Sequence, residues 1–280
     1  YRKMSISEIP IWARILCYAL LITFAITIIF PFMWMVFTSL KSMEDYTNNP
    51  FGVPTKFVFQ NIVEAWGTGN FLRLYVNSIG ITSVSVLGIV TFCGAAGYGL
   101  AHFEFRGRML IFFYFLLGMM IPPQVILIPA FKIMNTIGLV NTYFAVIFTY
   151  LAWVPFAIFF FRAYFLGIPK DLIEAAKIDG ASDLVIFFQI MMPLAKPAVV
   201  TVAIIYFVWI FNDFMWPLIY LNDHDLRTVT LGMMSFQGKY SGATTLKTAA
   251  LMLATMPPMI VFLIFRNQIQ SGLVDGALKR

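Results

Sequence analysis

The sequence predicts an all-α integral membrane protein with six transmembrane helices and a charged two-helix loop on the cytoplasmic side. Three observations support this fold class: an apolar composition, six long windows almost free of charge, and one compact charged segment. The 280 residues are 60% hydrophobic and 11% charged, whereas an average soluble domain has about 25% charged residues. So few charges cannot cover a soluble surface of this size. This excludes a soluble enzyme, a disordered chain and a nucleic-acid-binding domain.

The six windows are each long enough to cross the bilayer core as a helix, which needs about 20 apolar residues. They cover residues 15–40, 74–103, 109–131, 133–161, 197–222 and 248–265. Asp213 is the one charge that any of them contains. An even number of spans places both chain ends on the same side of the membrane.

Lysine and arginine set the expected orientation, because cytoplasmic loops carry an excess of these residues. Twelve of the 19 lie at the two chain ends or in the segments that follow windows two and four, and seven lie in the other loops. We therefore expect both termini in the cytoplasm. The expected organisation is a cytoplasmic segment at 1–14, a membrane domain at 15–267 and a cytoplasmic tail at 268–280.

Proline occurs in most of the windows and is expected to kink their helices, because it removes a backbone hydrogen bond. The doublets Pro122–Pro123 and Pro257–Pro258 are the stronger signals. They predict broken helices that line a pathway, and ordinary kinking is the alternative interpretation.

Catalytic and metal-binding clusters are not expected in this chain. Cys17 and Cys93 lie in apolar runs, which is typical of small buried residues, and His102 and His224 are far apart. We expect no catalytic residue, no metal and no cofactor. The sequence also lacks a G-x-x-x-x-G-K-[ST] phosphate loop, so it carries no motif of this kind for ATP hydrolysis.

A charged segment from Arg162 to Lys196 connects windows four and five on the expected cytoplasmic side. It holds eight charged residues in 35, and Glu174 and Lys177 have the spacing of an i, i+3 ion pair. Its composition is compatible with an amphipathic pair of helices lying on the membrane surface. A docking element for another protein is the other interpretation.

Local signals divide this segment into two short helices. Asp171 is predicted to cap the first helix and Gly180 to end it. Ser182 is predicted to cap the second helix and Pro193 to stop it. The slim joint at Gly180 would let the groove of another protein approach the backbone closely.

The order of residues in this segment resembles the EAA signature of ABC-importer permeases. The resemblance rests on Glu174-Ala175-Ala176-Lys177-Ile178-Asp179-Gly180-Ala181 and the downstream prolines, although Met192 stands where the signature usually has Leu. In that family the loop docks into a cleft of the ATP-hydrolysing subunit. The resemblance therefore implies a coupling loop at about 169–193. Its implied ATPase-coupling residues are Glu174, Ala175, Ala176, Asp179, Gly180 and Pro193.

The resemblance covers roughly residues 15–279 and points to the carbohydrate, maltose-transporter type. It rests also on Asn77-Ser78, Phe105-Arg106-Gly107-Arg108, Trp209, Asn212-Asp213-Phe214, Trp216-Pro217-Leu218 and Gly276-Ala277-Leu278-Lys279. Six spans match the shorter of the two permeases, with the type I importer fold. The implied partners are a second permease, two ATPase subunits, an extracytoplasmic solute-binding protein and membrane lipid, but no nucleic acid. The implied substrate is a sugar or an oligosaccharide, and the implied location is the inner (cytoplasmic) membrane.

Two other functions compete with this interpretation. An ion-coupled secondary transporter would work without an ATPase, but such carriers usually need several ionisable residues inside the membrane, and only Asp213 is a clear case. A membrane-embedded hydrolase would need a nucleophile or a metal cluster, and the sequence shows neither motif.

A stripe of aromatic residues surrounds Asp213 in the fifth window. Tyr206, Trp209, Asp213, Trp216 and Tyr220 would share one face of an unbroken helix, with Asn212 beside them. A carboxylate in mid-membrane costs about 2.5–3.5 kcal/mol on insertion scales, so it should face a partner or water. We interpret the stripe as part of the translocation path. The alternative is a packing surface in which Asp213 caps backbone groups freed by Pro217.

The last outer loop contains a candidate contact for the binding protein. In the maltose-type family the shorter permease inserts a loop between its last two helices into the binding protein's sugar cleft. The matching stretch includes Gln237, Gly238, Lys239 and Tyr240, followed by Ser241. A plain solvated turn is the alternative interpretation.

Overall fold

The computed structural model describes residues 10–239 and 242–278, and it describes only the backbone of Ser235, Gln237, Lys239 and residues 267–278. All regular elements in this part of the chain are helices, as predicted. The first eight are α1 (Ile11–Ser39), α2 (Met43–Asn48), α3 (Gln60–Thr68), α4 (Phe71–His102), α5 (Arg108–Gly118), α6 (Leu127–Thr136), α7 (Tyr143–Ala152) and α8 (Pro155–Phe165). The others are α9 (Asp171–Ile178), α10 (Asp183–Val185), α11 (Met192–Leu194), α12 (Lys196–Asn212), α13 (Met215–Tyr220), α14 (Val229–Lys239) and α15 (Thr244–Leu278).

Six membrane spans can be counted in the described residues. Three helices are long and apolar enough to cross a membrane unbroken: α1, α4 and the Thr244–Arg266 part of α15. Three bent pairs pass the same test together: α5 with Pro123–Thr136 (91°), α7 with α8 (47°), and Asp183–Leu194 with α12 (79°). Taking each bent pair as one span gives the predicted number.

The two proline doublets behave differently. Pro122 is extended and Pro123 begins a 3₁₀ turn over Pro123–Ile126, so the helix breaks there as predicted. Pro257 and Pro258 lie inside α15, which continues to Leu278, so the break predicted at this doublet is wrong. A membrane helix tolerates proline when local adjustments and neighbouring groups satisfy the freed carbonyls.

The chain divides into two compact units, of which the first contains Tyr1–Gly69 and Ser235–Ala254. Within it, Asn61 Nδ2 donates to the carbonyls of Ser39 (2.9 Å) and Lys41 (2.8 Å) at the end of α1. No residue in the most apolar window of α1 is buried within the described part of the chain. An apolar helix exposed all round is expected to face lipid or another protein.

The second unit contains Asn70–Met234 and Thr255–Arg280, and α4 is its central helix. Helix α4 packs chiefly against α8 and also against α7 and α12. At Gly97 a Cβ atom would lie 2.6 Å from Phe161 Cβ and 2.9 Å from the backbone nitrogen of Arg162. Only glycine therefore allows α4 and α8 to approach this closely.

Candidate coupling and translocation sites

The joint between the two helices of the charged segment is a Schellman motif. Gly180 has φ +82°, the Gly180 N–H donates to the Lys177 carbonyl (3.1 Å), and the Ala181 N–H donates to the Ala176 carbonyl (3.0 Å). These bonds satisfy carbonyls at the end of α9. The left-handed backbone conformation at position 180 favours glycine. The predicted end of the first helix at Gly180 is confirmed.

The start of the first helix differs from the prediction. Lys170 occupies the N-cap position without a side-chain bond, and Asp171 is the first helical residue. The predicted Asp171 cap is therefore wrong. A carboxylate in the first turn still stabilises the helix through its dipole, which explains why the residue favours this end.

The second helix begins as predicted and ends later than predicted. Ser182 Oγ accepts the Val185 N–H at 3.4 Å and caps the helix. The chain then forms a π-helix over Ile186–Met191 and passes Pro193 before it bends at Ala195. Pro193 is the last residue but one of this helix, which ends at Leu194, so the predicted stop is displaced by one residue.

The ion pairs of this segment also differ from the expected one. Lys177 Nζ lies 3.3 Å from Asp183 Oδ1, so the lysine bridges the two helices rather than pairing with Glu174. Glu174 is exposed and lines a groove of about 160 Å³ together with His102, Phe103, Lys170, Ile173 and Lys177. The carboxylate therefore stands on the rim of an open groove.

Two apolar side chains stand exposed on either side of the Gly180 joint. Ile178 is 86% exposed and Leu184 is 72% exposed, whereas Ala176 is buried against the body of the protein. Ala175 and Asp179 are exposed beside them. Sequence reasoning did not select Ile178 as a contact, although an apolar residue beside a glycine joint in a charged segment was an available signal.

The fifth span is broken at Asp213, so the predicted continuous stripe is wrong. Helix α12 ends at Asn212, Asp213 is extended (φ −68°, ψ 136°), and α13 begins at Met215. The physical reason is Pro217, which has no N–H for the carbonyl four residues earlier, that of Asp213. That carbonyl accepts a 2.7 Å bond from Thr230 Oγ1 instead.

The Asp213 carboxylate caps the helix that follows the break. Its Oδ1 accepts the Met215 N–H (3.2 Å), and its Oδ2 accepts the Trp216 N–H (3.3 Å) and the Tyr150 hydroxyl (2.7 Å). The structure therefore gives Asp213 the capping role that the alternative interpretation assigned to it. A carboxylate with three donors can be kept within a membrane span.

At the break between α7 and α8, a backbone carbonyl accepts a hydrogen bond from a side chain of α12. Tyr206 Oη donates to the Trp153 carbonyl at 3.1 Å, and the Trp153 ring stacks on Trp209 with centroids 5.8 Å apart. Trp209 is 44% exposed, while Asn212 is exposed and donates to the Val208 carbonyl of its own helix (2.8 Å). Tyr206 and Trp209 therefore pack together at the break between α7 and α8.

A cavity of about 450 Å³ lies beside the break between α5 and α6 and the break between α7 and α8. Of the predicted path residues, Trp216 alone lines it. The other lining residues are Tyr114, Gly118, Ile121, Pro123, Ile126, Ala130, Ile133, Met134, Phe148, Thr149, Ala152, Trp153 and Pro155. Sequence reasoning missed Trp153, because its neighbour Pro155 was taken only as a kink.

The stretch proposed to contact the binding protein lies at the end of α14. Gly238 is exposed in the last turn of this helix, and only the backbone of Gln237 and Lys239 is described. Tyr240 and Ser241 lie outside the described residues. The described part of the predicted tip, residues 237–239, is therefore helical.

Six candidate spans and an exposed two-helix joint are the features expected of the permease class. The family described as binding-protein-dependent transport system inner membrane component matches residues 92–275. The chain belongs to this family, which confirms the predicted permease class and makes it a multi-pass membrane protein.

Known relatives support the same assignment over almost the whole chain. The trehalose/maltose transport system permease protein MalG of Thermococcus litoralis is 38% identical over 95% of this chain and 97% of its own. The diacetylchitobiose uptake system permease protein NgcG of Streptomyces coelicolor is 35% identical over 94% of this chain and 88% of its own. A solved bacterial ABC transporter that imports the acidic polysaccharide alginate has a TM-score of 0.83 at 25% identity, covering 94% and 98% of the two chains. The predicted type I importer fold is confirmed.

Proposed function

We propose that this chain is one of two permease subunits through which an importer moves a sugar or an oligosaccharide into the cell. Two separate ATPase subunits would drive the transport, and an extracytoplasmic binding protein would deliver the solute. The named relatives carry trehalose and maltose, diacetylchitobiose, or alginate, which are all carbohydrates. The proposal therefore assigns carbohydrate as the substrate class.

The observation that carries the coupling role is the exposed apolar pair at the Gly180 joint. Exposed apolar side chains surrounded by charged residues mark an interaction site. Ile178 and Leu184 would insert into a groove of the ATPase, while Glu174 and Asp179 would make polar contacts at its rim. Gly180 would let the partner approach the backbone, because no heavy atom lies within 4 Å of its Cβ position.

The translocation path would pass along the cavity beside the α5–α6 and α7–α8 breaks. Its volume is in the range of ligand pockets, about 300–1,000 Å³, and transporters commonly build substrate sites from discontinuous helices. The ring of Trp153, which is 37% exposed, could stack on the apolar face of a sugar. Tyr206, Trp209, Asn212 and Asp213 would form the adjoining wall of the path.

The outer end of the path would receive the solute near Gln237, Gly238, Lys239 and Tyr240. Both chain termini would then lie in the cytoplasm. Cysteine labelling from each side of the membrane tests this orientation at Gly107, Gly180 and Gly238. Labelling of position 107 or 180 from outside alone would contradict it.

An uptake screen tests the proposed function itself. A deletion strain, with and without the gene restored, is given radiolabelled trehalose, maltose, melibiose, raffinose and diacetylchitobiose. We expect the restored gene to return uptake of at least one of these sugars, and we expect that uptake to stop on ATP depletion. Uptake that survives ATP depletion but stops when the ion gradient is collapsed would favour the ion-coupled alternative.

A further inference from the structure

Asn77 and Ser78 lie near the N-terminal end of α4. Neither residue belongs to the coupling site or to the translocation path described above. Both side chains are almost fully buried, with Asn77 7% exposed and Ser78 2% exposed. Buried polar side chains are expected to be hydrogen-bonded. Their partners all lie in other segments of the second unit.

Asn77 uses both of its amide protons on one neighbouring segment. Its Nδ2 donates to the carbonyls of Asp225 (2.9 Å) and Arg227 (2.9 Å), while its Oδ1 accepts the Tyr143 hydroxyl (2.8 Å). The two carbonyls can only accept hydrogen bonds, so the amide nitrogen of Asn77 must face them. The amide oxygen then accepts the Tyr143 hydroxyl, and these partners fix the orientation of the amide. An aspartate at this position could not donate to either carbonyl.

Ser78 holds the next element along the chain. Its Oγ accepts the N–H of Val229 at 2.8 Å, and Val229 is the first residue of α14. The first N–H groups of a helix have no partner within it. Ser78 therefore caps α14 from a different helix.

An ion pair and close packing also hold α4 against the segment that runs from Asp225 into α14. Arg73 binds Asp225 through a 3.0 Å ion pair and donates from Nε to its carbonyl at 3.0 Å. A Cβ atom on Gly232 would lie 2.5 Å from Leu74 Cδ1, so the first turns of α14 press directly on α4. Residues 73, 74, 77 and 78 form two adjacent i, i+4 rows on one helix face.

We propose that Asn77 and Ser78 are positioning residues that clamp residues 225–229 onto α4 and so fix the start of α14. Helix α14 leads along the chain to residues 237–240, and the effect on transport rests on the proposed delivery role of that stretch. The clamp would fix the first turn of the helix that continues into this stretch. Neither residue touches the solute.

Hydrogen exchange on the full chain in lipid discs tests the clamp without any partner. In Asn77→Asp, we expect the amides of residues 225–232 to exchange at least about tenfold faster, as expected for loss of about one net hydrogen bond. Tyr143→Phe retains both carbonyl bonds and should have a smaller effect. Asn135→Asp makes the same chemical change at an exposed site of α6 and should leave residues 225–232 unchanged.

Ser78→Ala provides a second variant in case Asn77→Asp fails to fold. It should accelerate exchange at Val229 and its neighbours while α8 keeps its protection. Wild-type exchange at residues 225–232 in a folded Asn77→Asp or Ser78→Ala protein would overturn the clamp.

Uptake then tests the consequence, using the labelled sugar that the screen above selects. Asn77→Asp should reduce uptake about tenfold while the amount in the membrane and the ATPase that co-purifies stay at wild-type levels. Wild-type uptake with faster local exchange would overturn the positioning role. If the screen selects no sugar in the wild type, the proposed function fails, and the exchange experiment still decides the clamp.

Discussion

The Tyr150 hydroxyl donates a 2.7 Å hydrogen bond to Asp213 Oδ2, and this bond joins the last turn of α7 to the break in the fifth span. The relationship is reciprocal, because Tyr206 of α12 donates to the Trp153 carbonyl at the break between α7 and α8. Each of the two broken spans therefore supplies a tyrosine hydroxyl that donates to an oxygen at the break in the other span. The two breaks are stabilised as a pair.

Removal of the Tyr150 hydroxyl should destabilise this pair. Tyr150 is 1% exposed. Tyr150→Phe leaves Asp213 Oδ2 with only the 3.3 Å bond from the Trp216 N–H and should cost about 1 kcal/mol. Thermal unfolding of the purified protein in detergent measures the change. Tyr18→Phe is the control, because Tyr18 is 61% exposed on α1. Equal melting temperatures for both variants would show that the bond contributes nothing.

Substitution of Asp213 separates capping from transport. Asp213→Asn retains one acceptor oxygen, so it should fold and bind the ATPase but transport the selected sugar more slowly. Asp213→Leu removes every acceptor from the Tyr150, Met215 and Trp216 donors and should lower stability by about 2 kcal/mol or more. Unfolding curves and labelled uptake distinguish the two effects. Normal uptake of all sugars by Asp213→Asn would place the path elsewhere.

A bulky residue at the Gly180 joint should abolish coupling. Gly180→Val adds about 1–2 kcal/mol of left-handed backbone strain and blocks close approach of the ATPase. We expect uptake to be lost while the protein remains in the membrane. Normal ATP-driven uptake by this variant would count decisively against docking at the joint.

The matched control for that variant is Gly138→Val. Gly138 has φ +72° with no heavy atom within 4 Å of its Cβ position, and it ends α6 with the same pair of bonds, to the carbonyls of Asn135 and Met134. It should suffer the same strain but retain the ATPase, because its loop lies on the opposite side of the membrane in the proposed orientation.

A charge in place of Ile178 should weaken the ATPase contact without unfolding the permease. Because the side chain is 86% exposed, Ile178→Glu should shift stability by less than about 0.5 kcal/mol. Burying the new carboxylate in an apolar groove should reduce the co-purified ATPase at least about tenfold. Ile137→Glu, at a 57% exposed position of the opposite loop, should leave the ATPase in place. Equal recovery from both variants would remove Ile178 from the contact.

The sequence by itself determined the membrane class, the six spans and the two-helix joint at Gly180. These features depend on composition and on contacts between residues a few positions apart, such as the Ser182 cap and the glycine at the end of α9. Such local interactions can be predicted from the order of the residues alone. Local rules failed at Pro257–Pro258, where the surrounding structure accommodates a proline doublet that these rules treat as a break.

Only the tertiary structure decided where the fifth span breaks and what Asp213 does. Its partners Tyr150 and Thr230 lie 63 residues before it and 17 residues after it. The same holds for Asn77, whose carbonyl partners are 148 and 150 residues away. The spacing of Tyr206, Trp209 and Asp213 predicted that they share one face, but this prediction required an unbroken helix. The break ends the helical repeat, since hydrogen bonds between distant segments satisfy the backbone groups that an unbroken helix would have paired internally.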